Sequence, residues 1–120
     1  MAAPRPRFSR YGTYNPAKYT EHKADFLELA KAQGVTFHEG AIRMEVIFFM
    51  PIPASLSKKK QEALNGSYHV KKPDTDNLIK TVKDSLEGTF YKNDSQICEI
   101  KAMKMYDYNP RVQLNFYDIS

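Results

Sequence analysis

Between Ile42 and Met50 the apolar residues Ile42, Met44, Val46, Phe48 and Met50 fall on every second position. A period of two is that of a strand with one buried face. Pro51-Ile52-Pro53 closes this strand, and Ile47 and Phe49 predict burial on both sides near its end. Upstream the spacing is helical. Tyr19, Phe26 and Ala30 recur among charged residues and predict a helix over 16–33, with Asn15 as cap, Pro16 in the first turn and Gly34 as stop. Ser55 or Ser57 stands ready to cap a short helix over Lys58–Leu64 that stops at Asn65-Gly66. Residues 67–74 read as a loop or the lead-in to a strand, since Lys72 precedes Pro73 and is held to extended backbone. Leu78, Ile79, Val82 and Leu86 share one helical face; Asp76 is the predicted N-cap of that helix and Gly88 its stop. Two strands follow, over 96–106 and 111–119. The second alternates Val112, Leu114 and Phe116, and Asn109-Pro110 marks the turn between them. The order α-β-α-α-β-β predicts an α+β fold, a single small domain over 1–120 with helices packed on one mixed β-sheet. Residues 1–15, rich in Arg, Pro, Gly and Tyr, read as an extended arm.

Composition narrows the class. A chain of 120 residues, 42% hydrophobic and 12% aromatic, suits one folded domain with its own core. The longest wholly apolar run, Val46 to Met50, is far short of a membrane-spanning helix. The lone Cys98 excludes an intrachain disulfide, and nothing resembles a secretion signal, so a soluble protein of a reducing cytoplasm is expected.

The formal net charge of +4 says little until it is located. Residues 51–83 carry Lys58, Lys59, Lys60, Lys71, Lys72, Lys80 and Lys83 against Glu62, Asp74 and Asp76, which is the whole excess. A second basic block, Arg5, Arg7 and Arg10, opens the chain without an acid. A lysine run alone is most simply a solvated face. Two basic segments bracketing an acidic pair point instead to a polyanion held beside carboxylates.

The candidate chemistry lies in Lys71-Lys72-Pro73-Asp74-Thr75-Asp76-Asn77-Leu78-Ile79-Lys80. In an extended segment residues two apart project to the same side, so Asp74 and Asp76 would present two carboxylates together, a donor set that suits Mg²⁺. Lys80 lies four residues past Asp76, and helical side chains lean toward the N-terminus, so its ammonium would hang near them. Asp94, at the start of the next strand, is placed to return to the same end of the sheet. The plainer alternative is a capping Asp76 in an ordinary i,i+4 pair with Lys80. An Asp-x-Asp pair also occurs in sugar-nucleotide transferases and in plain loops. No phosphate-cradling glycine loop or nucleophile elbow is present. His22, His38 and His69 lack metal-site spacing and are expected to be structural or solvated. Cys98 has no activating partner in sequence and is expected to be packed or half-buried.

Taken together, Lys72-Pro73-Asp74-x-Asp76-Asn77-Leu78-x-Lys80, Asp84-x-Leu86-x-Gly88 and Tyr91-Lys92-Asn93-Asp94-x-Gln96-Ile97 resemble the RusA-type Holliday junction resolvases, notably phage-borne members. Arg5-Pro6-Arg7-Phe8, Pro51-Ile52-Pro53 with Ser57-Lys58-Lys59-Lys60, and Lys104 are similar to their counterparts, so the likeness spans nearly the whole chain. It implies a homodimeric, Mg²⁺-dependent endodeoxyribonuclease, with Mn²⁺ as a substitute ion. Such an enzyme resolves four-way DNA junctions by symmetric paired nicking, in the cytoplasm of a bacterial or phage-infected cell. It implies Asp74, Asp76 and Asp94 as catalytic, metal-holding carboxylates and Lys80 as the catalytic lysine. Lys71, Lys72, Lys58, Lys59, Lys60, Arg5, Arg7 and Arg10 are expected on DNA phosphates. Asp84 also falls on a recurrent position, although the residues alone offer it only as an outward-facing partner of Lys80. The chain departs from many relatives at Asn93, where they carry a second acid, and in having only Met1-Ala2-Ala3-Pro4 where relatives have a strand. A non-catalytic branched-DNA-binding protein and a general flap nuclease are the competing expectations.

Overall fold

A computed structural model describes residues 23–120. The predicted arm with Arg5, Arg7 and Arg10, the start of the first helix at Asn15-Pro16 with Tyr19, and His22 lie outside the described residues. The elements run α1 (Lys23–Ala32), β1 (Ile42–Pro51), α2 (Lys58–Leu64), α3 (Thr75–Leu86), a 3₁₀ turn (Asp94–Gln96), β2 (Ile97–Asp107) and β3 (Arg111–Asp118). This is the expected α+β arrangement.

β1 is the central strand of a β2-β1-β3 sheet, parallel to β2 and antiparallel to β3. A parallel neighbour cannot be reached by a hairpin, so the chain between β1 and β2 crosses over, carrying α2 and α3 with it. The alternation read in the sequence sets which face is covered. Ile42, Met44, Val46, Phe48 and Met50 are buried, and the register sets Met44, Val46 and Phe48 opposite Phe116, Leu114 and Val112. Phe26 and Ala30 of α1 and Leu78, Val82 and Leu86 of α3 close over this face, joined by Phe90 and Tyr91. Removing that much apolar surface from water is the main drive for folding, at about 25 cal/mol per Å². Ile47 and Phe49 on the opposite face are half-buried. Arg111 there lies over the Phe49 ring, 3.7 Å from its centre.

Local chemistry explains the ends. Gly34 and Gly88, which stop α1 and α3, have φ of +101° and +88°, a region costly for side-chain-bearing residues. Ser57, rather than Ser55, caps α2, its hydroxyl accepting from Lys60 N–H at 3.3 Å. Two buried hydroxyls of α3 bond back along the helix, Thr81 to Asn77 O and Ser85 to Thr81 O. Residues 67–74 form a loop with a single antiparallel bridge, Tyr68 to Met105, on the edge of β2. Two expectations are corrected. The N-cap of α3 is Asp74, with Asp76 already in the first turn. Cys98 is exposed rather than packed, because it lies on the uncovered early part of β2. No helix among the described residues is long and apolar enough to cross a membrane.

Candidate active site

α3 carries most of the site. Residues 76, 79, 80 and 83 recur at i, i+3, i+4 and i+7, which brings them to one side of a helix. Asp76, Ile79, Lys80, Lys83 and Asp84 line one wall of an open cavity of about 440 Å³, and Asp94 and Ile100 form the other. The structure therefore brings Asp76, Lys80 and Asp94 together, as expected from sequence. It adds Asp84, which the resemblance had on a recurrent position and the residues alone offered as an outward partner of Lys80, and Lys83.

Asp74 stands apart from this group. It lines a second concavity with Lys72, Pro73 and Asn77. The reason is the helix itself. The shared projection of Asp74 and Asp76 required extended backbone, and the chain is helical from Thr75 onward, where two residues turn by about 200°. Asp74 makes no side-chain capping hydrogen bond, so its carboxylate is not consumed by the helix it begins.

Asp94 is held by an assembly that only the fold creates. Its backbone N–H donates to Glu87 Oε2 at 2.9 Å. Asn93, the position where an acid was expected from the resemblance, caps the 3₁₀ turn, its Oδ1 accepting from Ser95 N–H at 2.9 Å. Gln96 completes the capping box. Its Oε1 accepts from the N–H groups of Lys92 (2.8 Å) and Asn93 (3.0 Å), while Nε2 donates to His38 O (2.8 Å) and Gly40 O (3.1 Å). The turn is thereby tied to the segment entering β1. Beneath it, the buried Tyr91 hydroxyl donates to Lys83 O at 2.7 Å. Burial raises the Tyr91 pKa above the ordinary phenol value, with the Asp94 carboxylate the next cause.

The Asp94 carboxyl is also pushed above its usual range, first by burial, then by the hydrogen bond and charge of Glu87; Lys83 opposes this and Asp84 adds to it. Its Oδ1 is shut off from solvent and has no hydrogen-bond partner. A buried carboxylate oxygen without a donor is costly, and a cation relieves that cost. Among the described residues no three His, Cys, Asp or Glu side chains are gathered into a ready-made metal centre. A hard ion that keeps several waters needs only one or two carboxylates and the phosphate oxygens of a substrate. The donor set of all-oxygen carboxylates beside two lysines fits that requirement.

The basic residues divide. Lys71 and Lys72 are exposed on the loop that leads to Asp74, and Lys58, Lys59 and Lys60 are exposed on α2. His38 is buried, its ring 5.8 Å from that of Phe116, and His69 lies against Tyr106, as expected of structural histidines.

Lys83, Glu87 and Gln96 were not among the site residues expected from the sequence. The spacing of Lys83 from Asp76 was a usable signal. Glu87 had none, because its approach to Asp94 depends on the reversal of the chain at Gly88.

A similarity to known proteins accords with this geometry. Residues 1–117 match the model of the family described as endodeoxyribonuclease RusA. The uncharacterized protein YqaN of Bacillus subtilis (strain 168) is 39% identical over 89 residues, 71% of this chain and 63% of that protein. The chain thus spans less than two thirds of the length of that relative. With nearly its full length matched, the chain belongs to the RusA endodeoxyribonuclease family.

Proposed function

We propose that this chain is a divalent-metal-dependent endodeoxyribonuclease that nicks four-way DNA junctions, working as a homodimer so that two sites meet the two strands to be cut. The observation that carries the reading is the convergence of Asp76, Asp84, Asp94, Lys80 and Lys83 on one open cavity, with Asp94 Oδ1 left without a donor.

Asp76 and Asp94 would hold Mg²⁺ or Mn²⁺ from the two walls of the cavity, with Asp74 contributing from the second concavity. When bound, the ion supplies Lewis-acid charge at the scissile phosphate and makes water acidic enough to attack at neutral pH. Lys80 offsets the negative charge that grows on the phosphoryl group during hydrolysis. Lys83, on the same wall, adds positive charge where the phosphate enters. Ile79 and Ile100 add apolar surface to the two walls. Lys71 and Lys72, with Lys58, Lys59, Lys60, Arg5, Arg7 and Arg10, grip backbone phosphates and orient the DNA without reading bases. The 1–120 span acts as one nuclease domain, a reading supported by the family match.

A synthetic four-way junction, a flap and a linear duplex, each with and without Mg²⁺, test the reading. The expected result is paired nicking of the junction, metal-dependent, that falls to background in Asp76→Asn and Asp94→Asn while junction binding without metal is retained. Binding without nicks under any divalent ion would identify a non-catalytic binding protein. Equal cleavage of the flap would identify a general branched-DNA nuclease.

A further inference from the structure

Lys104 occupies a position that the sheet marks as apolar. In the β1–β2 register it pairs with Phe48, on the helix-covered face, between Ala102 opposite Val46 and Tyr106 opposite Met50. A lysine there must lay its stem along the sheet and find acceptors for its ammonium. It does so on the loop before α3, where Nζ donates to the carbonyl oxygen of Pro73 at 2.7 Å and to that of Lys71.

The backbone bonds of the same loop show why this matters. Gly66 N–H donates to Tyr106 O, Tyr106 N–H to Ser67 O and His69 N–H to Lys104 O, each at 2.9 Å. Those backbone ties to β2 end at His69. At Lys71 and Pro73 the loop is tied to the sheet through the Lys104 side chain. Asp74 follows directly, and its carboxylate makes no capping bond that would fix it to α3.

We propose that Lys104 is a positioning residue: by holding the carbonyls of Lys71 and Pro73, it sets where the Asp74 carboxylate and the Lys72 ammonium stand relative to Asp76 and Asp94. The inference rests on the proposed metal site that includes Asp74. It differs in sign from a simple charge effect. Removing a nearby ammonium strengthens cation binding if charge alone is felt, and weakens it if the ammonium places a ligand.

Mn²⁺ binding to the full chain without DNA, followed by electron paramagnetic resonance, separates the two. Lys104→Met keeps the stem and removes the donors, and is expected to weaken Mn²⁺ binding about tenfold. The Mg²⁺ concentration for half-maximal nicking rises with it. Lys104→Arg, which keeps charged donors toward both carbonyls, is expected within about twofold of the parent. If Lys104→Met does not fold, Lys104→Gln carries the same comparison. Unchanged or tighter Mn²⁺ binding in Lys104→Met, alongside weakened binding in Asp74→Asn, overturns the positioning role alone. Unchanged binding in Asp74→Asn overturns the metal-site reading beneath it.

Discussion

His69 shows how much one residue's neighbours decide. Its ring lies 4.7 Å from that of Tyr106, between centres, while Lys104 and Lys71 stand close enough to be felt. Burial, then the charges of Lys104 and Lys71, hold its pKa below the ordinary value of 6.5. The unfolded chain therefore binds a proton more readily than the folded one. The stability associated with neutral His69 is present above the unfolded value and is lost as the pH falls through about 6.5 toward the lower folded one. Melting temperatures measured from about pH 7.5 down to about 5.5 are expected to fall less in His69→Gln than in the parent. Parallel curves would show that His69 titrates alike in both states. The carboxylates follow the same lesson. Asp76 and Asp94 were legible as types and in spacing, but the donor-free Oδ1 of Asp94 and its contact with Glu87 were not.

Among the elements, α3 and the 3₁₀ turn behave differently. The amphipathic pattern of α3 announced the helix, and Gly88 announced its end; its start came out two residues earlier than Asp76 suggested. Both aspartates are good cap types, and the backbone, extended at Asp74 and helical from Thr75, puts the cap at Asp74. The 3₁₀ turn has no periodic signal at all, being three residues long. What holds it is Gln96, whose amide makes four hydrogen bonds, two of them to His38 and Gly40 across more than fifty residues of chain. Gln96→Ala is expected to cost about 2 kcal/mol, from bonds worth about 0.5–1.5 kcal/mol each and partly replaced by water. Urea unfolding measures that loss. The same variant is expected to slow nicking more than it weakens junction binding, because Asp94 begins the turn that Gln96 anchors.

Across the whole molecule the +4 charge is unevenly placed, and the exposed lysines of α2 and of the loop before α3 carry most of it. Contacts of this kind release counterions from DNA, so binding falls with salt in proportion to the phosphates neutralised. Replacing Lys58, Lys59 and Lys60 together by Gln is expected to lower the salt slope of junction binding by about 2 to 3, equally for all sequences. α2 buries none of its residues, so the substitution leaves the core intact. An unchanged slope would mean that α2 faces away from the DNA. The proposed paired incision needs two such sites, and so two copies of the chain. Sedimentation of the protein alone and with a junction reads that stoichiometry directly.

The amino-acid sequence by itself determined the strands, the helices, the buried faces of α1, β1, α3 and β3, and the residue types of the candidate site. Those depend on short-range periodicity and on local caps and stops, which are written within a few positions of one another. Only the tertiary structure decided which acids share a cavity. Asp76 and Asp84 reach it by the turn of one helix, and Asp94 by a turn anchored through Gln96, while Asp74 is set apart where the backbone changes from extended to helical. The same holds for Lys104, whose ammonium bonds to residues some thirty positions earlier. Such contacts follow from strand register and chain reversal, which place distant residues together by packing rather than by spacing.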